Sequence, residues 1–309
     1  MNFEAIQARN LFKKYGNVQA VAGVTFSVAA GEVFGFLGPN GAGKTTTQRI
    51  LTGIVEPDQG EVLIMGYHLK KQPYHAKRMM GVVPELANVY VDLSAWDNLL
   101  FIGELYGVPK KMRAKRADEL LEIFGLKEKR HFKARGFSKG MKQRLLLGMA
   151  LMSDPEVLIL DEPTSGLDVQ STHLIRDLIK KFNERGKTVF LTTHNIEEAG
   201  QLCDRVAIIN QGKLVAVDRP EKLKCMLQRL QSVVVAFHPQ VVESQLLAAL
   251  KGVNQVKKSG DRFILYTDHP GDVVLAVAEL ARRENLKILS LHTQGPTLED
   301  VFLHLTDQQ

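Results

Sequence analysis

The chain has 309 residues, 45% of them apolar and 24% charged, with a formal net charge of +6. This is ordinary globular composition, which excludes a disordered or fibrous chain, and no apolar run approaches the roughly 18 residues that a membrane-spanning helix needs. Two cysteines, Cys203 and Cys225, give neither a disulfide framework nor a metal-spaced pair, and the opening MNFEAIQARNLFKKYG lacks the apolar centre of a secretory signal, so a reducing cytoplasm is the expected compartment.

Residues 5–30 alternate like short antiparallel strands, with Val24, Phe26 and Val28 on one face and Thr25 and Ser27 on the other. Glu32–Leu37 is a short, mostly apolar strand. The next residues, GPNGAGKTT at 38–46, fit the phosphate-binding pattern G-x-x-x-x-G-K-[ST], with Gly38, Gly43, Lys44 and Thr45 at the fixed positions. Thr45–Leu51 then reads as a helix that stops near Gly53. A loop between a strand and a helix N-terminus is where polyphosphate chemistry needs it. Glycines let backbone N–H groups turn inward, and the helix adds a positive dipole end. Lys44 would reach the β- and γ-phosphates, and Thr45 would offer a hydroxyl to Mg²⁺.

Pro57–Gly60 is a turn, and EVLIMGY resumes a strand. Residues 86–150 are mostly helical: Trp96–Tyr106, Ala114–Phe124 and Lys139–Met152. Within them, residues 108–144 hold thirteen Lys/Arg against four Asp/Glu, leaving the rest of the chain close to neutral. Such a stretch can face nucleic acid, an anionic membrane, a partner's acidic loop or plain solvent. In GFSKGMKQRL (136–145), Ser138 reads as a helix cap before a cationic first turn. That charge opposes the helix dipole unless it neutralises an anion.

Val157–Leu160 is a short buried strand that delivers Asp161 and Glu162 to the carboxyl edge of the sheet, where open α/β folds bind ligands. Asp161 suits a hydrated divalent cation, and Glu162 suits orienting or deprotonating an attacking water. Asp168–Arg185 is a helix with Leu174, Ile175, Leu178, Ile179 and Phe182 at core spacing. Thr188–Thr192 is a strand, Asn195 caps the next helix, and Arg205–Asn210 is a further strand. Strands alternating with helices predict an α/β core with a largely parallel sheet. After about residue 222 the order is β-α-β-β-α-β: Val233–Phe237, a helix near Val241–Leu250, Val256–Lys258, Phe263–Tyr266, a helix near Val273–Arg283 and Ile288–Leu291. A small ferredoxin-like α+β domain is expected there, followed by a last helix at Leu298–Leu305. Two domains are predicted, 1–222 and 223–309.

GPNGAGKTT, LDEP and FSKGM stand in an order and spacing that resemble an ATP-binding cassette (ABC) ATPase over roughly residues 4–220. The resemblance implies a P-loop NTPase fold with an antiparallel β subdomain and a helical subdomain at about 86–150. It implies that Gly38, Asn40, Gly41, Gly43, Lys44, Thr45 and Thr46 form the Walker A loop around ATP, and that Thr45, Asp161 and Glu85 serve Mg²⁺. Glu162 is then the catalytic carboxylate, with Lys44 and the switch histidine His194 completing the catalytic set. Ser138 and Gly140 match signature residues that meet the γ-phosphate of a second subunit in a head-to-tail homodimer, Asp168 matches the D-loop, and Tyr15 matches the aromatic that stacks on adenine. From the residues alone, Tyr15 also reads as a strand-end tyrosine and His194 as a surface histidine.

Two departures stand out. Glu85 in VVPE occupies a position where the family has Gln, which adds negative charge beside the triphosphate. Lys139 and Met141 replace Gly and Gln in the signature, with Lys139 expected either on phosphate or in solvent. PTLEDVFLHLT (296–306) is similar to the tail of exporter ATPase subunits. That implies a separate transmembrane permease as partner and a peripheral place at the cytoplasmic face of the membrane. A soluble ABC ATPase acting on nucleic acid or ribosomes is the alternative. The single cassette and the lack of an aromatic-interleaved basic surface weigh against nucleic acid as a partner. Intact Lys44, Asp161, Glu162 and His194 weigh against a non-hydrolytic regulator.

Overall fold

A computed structural model describes residues 3–85, 89–226, 231–238 and 242–307. Two compact units divide the chain between Arg219 and Pro220.

In the first unit, β1 (Glu4–Tyr15) and β2 (Val18–Ala29) are twelve residues each and pair antiparallel. The sequence predicts shorter strands. The pairing survives because bulges absorb the breaks; one lies between Ala8 and Leu11, where Asn10 adopts φ 51°. β3 (Val33–Leu37) is buried along its whole length and leads through the phosphate loop into α1 (Lys44–Leu51). β4 (Gln59–Ile64) and β5 (Tyr67–His68) complete the first sheet, in the order β2-β1-β4-β5. α2 (Pro73–Arg78), which no sequence signal marked, precedes β6 (Met80–Val83).

The helical region holds α3 (Ala95–Leu105), α4 (Lys110–Ile123) and α5 (Lys139–Ala150). α4 begins earlier than predicted, just after Pro109, a residue that suits a helix start. Residues 86–88, the predicted beginning of this region, lie outside the described residues. Much of the basic stretch is paired locally: Arg113 with Glu104, Arg116 with Asp154 and Arg130 with Asp118. Arg130 also stacks 4.0 Å above the Trp96 ring.

β7 (Val157–Asp161), α6 (Val169–Asn183), β8 (Thr188–Thr193), α7 (Ile196–Leu202), β9 (Arg205–Asn210) and β10 (Lys213–Asp218) follow. α6 buries Ile175, Leu178, Ile179 and Phe182, a stripe at helical spacing. Leu174, predicted within that stripe, lies at its edge and stays 36% exposed. The second sheet has the order β10-β9-β3-β8-β7-β6, parallel except for the edge strand β10. Phe26 from the first sheet stacks on Phe34 at 5.5 Å and on Phe190 at 5.9 Å, which locks the two sheets together through offset aromatic contacts. β3, β8 and β7 are neighbours, so the segments leaving their carboxyl ends converge at one place on the sheet edge.

The second unit comprises α8 (Pro220–Cys225), β11 (Gln231–His238), α9 (Ser244–Ala248), β12 (Gln255–Ser259), β13 (Arg262–Thr267), α10 (Pro270–Arg283), β14 (Lys287–Gln294) and α11 (Leu298–Asp307). α9 is shorter than predicted, and Val241 lies outside the described residues. The sheet order β12-β13-β11-β14, antiparallel throughout, is that of a split β-α-β ferredoxin-like unit. One face packs Val233, Val235, Phe237, Phe263 and Leu265 on α9 and α10. The tail motif has a local physical basis. Thr297 and Asp300 cap α11 reciprocally, with Thr297 N donating to Asp300 Oδ2 at 2.8 Å and Asp300 N to Thr297 Oγ1 at 3.1 Å. Tyr266 donates its hydroxyl to Asp300 Oδ1 at 3.0 Å, and burial together with that carboxylate pushes the phenol up to about 12.

Candidate active site at the carboxyl edge of the parallel sheet

At two positions of the loop between β3 and α1, Gly38 and Gly43, there is room for glycine only. Gly43 has φ 105°, and a Cβ there would stand 2.4 Å from the carbonyl oxygen of Ala20; one at Gly38 would stand 2.5 Å from that of Ile209. Lys44, 8% exposed, folds back and donates from Nζ to the Gly38 carbonyl at 2.7 Å and the Pro39 carbonyl at 3.2 Å. Burial lowers its pKa, and the carboxylates of Glu162, Asp161 and Glu85 act against that fall.

β7 ends in Asp161, 6% exposed. Thr192 on β8 donates from Oγ1 to Asp161 Oδ1 at 2.5 Å. The Gln48 amide, oriented with its nitrogen toward the carboxylate, donates to the two Asp161 oxygens at 2.9 and 2.8 Å. Burial raises the Asp161 pKa, the Thr192 bond lowers it and the Glu85 charge raises it. Glu162 turns the chain at φ 48°, left-handed for a non-glycine residue. Its backbone N–H donates to the Thr192 carbonyl at 3.1 Å, and its Oε2 lies 2.8 Å from His194 Nδ1. Burial pushes the Glu162 carboxyl above its ordinary range, and the His194 hydrogen bond holds it partly down.

These residues line an open cavity of about 700 Å³, whose walls include Asn40, Gly41, Gly43, Lys44, Thr45 and Thr46 of the loop, with Glu85, Asp161, Glu162 and His194 opposite. Its polar lining combines the ammonium, amide and hydroxyl groups of the loop with three carboxylates and an imidazole. Gly38 serves it through the Lys44 contact. Tyr15 does not line it: the ring is 46% exposed, with Lys13 Nζ 5.8 Å from its centroid, on the hairpin that leads to the lining residues Val18 and Gln19.

Ser138, Gly140 and Asp168 do not line the cavity either. Ser138 caps α5, accepting from Met141 N at 3.2 Å. Asp168 caps α6, accepting from Ser171 N at 2.8 Å and Ser171 Oγ at 3.0 Å; those bonds hold its carboxyl below its usual value. Lys139 is exposed and donates to the Ser165 carbonyl at 2.8 Å, tying the start of α5 to the loop after β7. Gly140 lies where α5 meets α6; a Cβ there would come within 2.3 Å of Ser171 Oγ and 2.9 Å of Ser171 Cβ. Gly140→Ala is therefore expected to cost about 1–3 kcal/mol of stability by overpacking, read by denaturant unfolding, and Ser171→Gly in the same chain is expected to restore most of it.

Sequence reasoning missed Gln48 and Thr192. Each carries a weak signal: a polar side chain one helical turn after Lys44 on the buried face of α1, and a threonine in a strand buried at every position.

A family model described as ABC transporter matches residues 21–165. The chain is 40% identical to the linearmycin resistance ATP-binding protein LnrL of Bacillus subtilis (strain 168), over 97% of this chain and 98% of that protein. This chain belongs to the ABC transporter ATP-binding protein family. It is also 37% identical to the Nod factor export ATP-binding protein I of Burkholderia orbicola (strain AU 1054), over 100% of this chain and 99% of that protein. Likeness to both relatives runs through the C-terminal unit as well as the cassette. Among solved structures, an ATP-binding subunit of an ABC transporter is similar with a TM-score of 0.67 and 29% identity, covering 72% of this chain and 92% of that one. The dimeric, post-hydrolysis cassette MJ0796 bound to ADP and Pi is similar with a TM-score of 0.63 and 28% identity, covering 69% of this chain and 98% of that one. The chain is accordingly an ATP-binding ABC ATPase.

Proposed function

We propose that this ABC ATPase powers export through a separate membrane permease, working as a head-to-tail homodimer at the cytoplasmic face. The observation that carries this reading is a division within the chain. Lys44, Thr45, Asp161, Glu162 and His194 meet around one cavity, whereas Ser138 and Gly140 stand outside it on α5. A second copy supplies Ser138 to the first copy's nucleotide. The hydroxyl then stands at the N-terminus of a twelve-residue helix, a favourable place for a phosphate oxygen. Export follows from the full-length likeness to relatives named for resistance and export. Tyr15, exposed at the mouth of the hairpin, offers a ring face to adenine.

The donor set suits Mg²⁺. The Thr45 hydroxyl and the Asp161 and Glu85 carboxylates are hard oxygen ligands, and among the described residues no three acidic, histidine or cysteine side chains converge into a cage. Mg²⁺ characteristically takes one or two protein ligands and completes its shell with water and phosphate oxygens. When bound, it neutralises charge on the phosphates. Lys44 would turn from its own loop to the β/γ-phosphates, and Glu162 would orient the attacking water and take its proton. His194, 2.8 Å from Glu162, holds that carboxylate in place.

Because burial raises the Glu162 pKa, the base becomes protonated at a higher pH than an ordinary glutamate with its value of 4.5. Turnover is expected to fall as pH drops through that raised value. A kcat–pH profile checks it: the acid limb lies above the ordinary glutamate range in wild type. Glu85→Gln removes one negative charge beside the triphosphate. It is expected to lower the KM for ATP about threefold and to raise the Mg²⁺ concentration needed for half-maximal rate, a modest change fitting an exposed charge of ~0.7 kcal/mol. Titrating turnover against Mg²⁺ at fixed ATP reads it; identical curves overturn the role of Glu85.

No helix among the described residues is long and apolar enough to cross a membrane. The permease contact is proposed on the helical region. There Tyr90 and Phe101 pack edge to face at 4.9 Å yet remain 44% and 40% exposed, beside exposed Leu105 and Tyr106. Affinity purification of the full chain from detergent-solubilised membranes tests this. A multi-span membrane protein should co-purify and should be lost with Leu105→Asp; recovery of nucleic acid in its place would overturn the reading.

A further inference from the structure

We propose that Glu198 is a positioning residue for ATP hydrolysis, a buried carboxylate that holds the turn carrying Glu162 and the loop carrying His194 in fixed relation. The inference rests on the hydrolytic reading of the site. Glu198 lies in the first turn of α7, is 0% exposed and does not line the cavity. A fully buried carboxylate is unfavourable unless its oxygens are satisfied.

Here they are satisfied from the loop after β7, the end of β8 and α6. Oε1 accepts from Thr164 Oγ1 at 2.7 Å and lies 3.4 Å from Arg176 Nε on α6. Oε2 accepts from Thr193 Oγ1 at 3.0 Å. Thr164 follows Glu162 by two residues, and Thr193 immediately precedes His194. The loop around His194 is closed from its other side as well: Asn195 N donates to Thr193 Oγ1 at 3.0 Å, and Glu198 N donates to Asn195 Oδ1 at 3.0 Å.

The geometry explains why a carboxylate stands there. Two oxygens on one rigid plane accept from two hydroxyls at once, and the two hydroxyls belong to the segments whose side chains meet in the 2.8 Å Glu162–His194 contact. Glu162 also sits at φ 48°, a conformation that persists only when its surroundings over-determine it. A well-packed apolar residue could fill the same space with equal stability, but it would leave both loops without a common anchor. Misplacement of a catalytic group by about 1 Å can cost on the order of 100-fold in rate.

Steady-state ATP hydrolysis by the full-length chain, with thermal unfolding as a parallel readout, tests the assignment. Glu198→Gln keeps the shape but cannot accept equally at both oxygens. It is expected to lower kcat at least about tenfold with KM for ATP within about twofold of wild type, the pattern of a group that acts on the chemical step. Thr193→Val, also of the same shape, should lower kcat in the same direction, and adding it to Glu198→Gln should cost little more. Wild-type kcat in folded Glu198→Gln overturns the proposal. So does a loss of rate that vanishes once it is expressed per folded molecule. If Glu198→Gln does not fold, Thr193→Val decides alone, and wild-type kcat there overturns it. Glu162→Gln serves as the control. Hydrolysis abolished by Glu162→Gln but untouched by Glu198→Gln sinks this inference only, whereas no hydrolysis by the wild-type chain sinks the hydrolytic reading together with it.

Discussion

Replacing Glu162 with Gln is expected to lower ATP turnover by about 10²–10⁴-fold, the range for loss of a positioned general base. The substitution keeps the side chain's length and its place at the end of β7, so the loss is one of proton acceptance. The same change is expected not to lower stability near neutral pH. Burial disfavours the ionised Glu162 carboxylate in the folded chain, and a neutral amide carries no such penalty. Phosphate release and thermal unfolding measured on one preparation separate the two effects. A slow enzyme with an unchanged or higher midpoint is the expected pair; unchanged turnover contradicts the assignment of Glu162 as base, and a lowered midpoint contradicts the argument from burial.

Lys44→Met should weaken ATP binding by about 10- to 100-fold, the equivalent of ~1.5–3 kcal/mol for a hydrogen bond to a charged group. Lys44 is the buried cation among Glu162, Asp161 and Glu85, so its removal leaves acidic side chains facing the triphosphate. Methionine keeps the apolar stem packed in the loop, which confines the change to the ammonium. Titration with a fluorescent ATP analogue reads the affinity directly. Binding within threefold of wild type would mean that the phosphates lie elsewhere.

The phosphate loop is legible in the sequence because its chemistry is local. Gly43 must adopt φ 105°, and Lys44 must follow it as the first residue of the helix that the loop joins to β3. Caps are legible for the same reason: Ser138 and Asn195 bond to backbone N–H groups three residues on. The long-range partners are not. Gln48 reaches Asp161 across from α1 to β7, and Lys139 reaches Ser165 between α5 and the loop after β7. Glu198 reads in the sequence as one of two acidic residues in an ordinary helix start; only tertiary packing shows that Glu197 faces solvent-side Gln201 while Glu198 is fully buried. The tail motif, recognisable by resemblance, takes its physical meaning from the Thr297–Asp300 cap and the Tyr266 contact. β10 escaped notice because a short antiparallel edge strand, none of it buried, carries little alternation.

The central claim is that two copies enclose one nucleotide between Lys44 of the first and Ser138 of the second. Analytical ultracentrifugation of the Glu162→Gln chain with and without Mg²⁺ and ATP addresses it most directly. Dimers should form only with ATP, and Ser138→Arg in the same chain should abolish them while ATP binding persists. A Glu162→Gln chain that binds ATP yet sediments as a monomer at every concentration would contradict the account, as would an ATP-dependent dimer indifferent to Ser138→Arg.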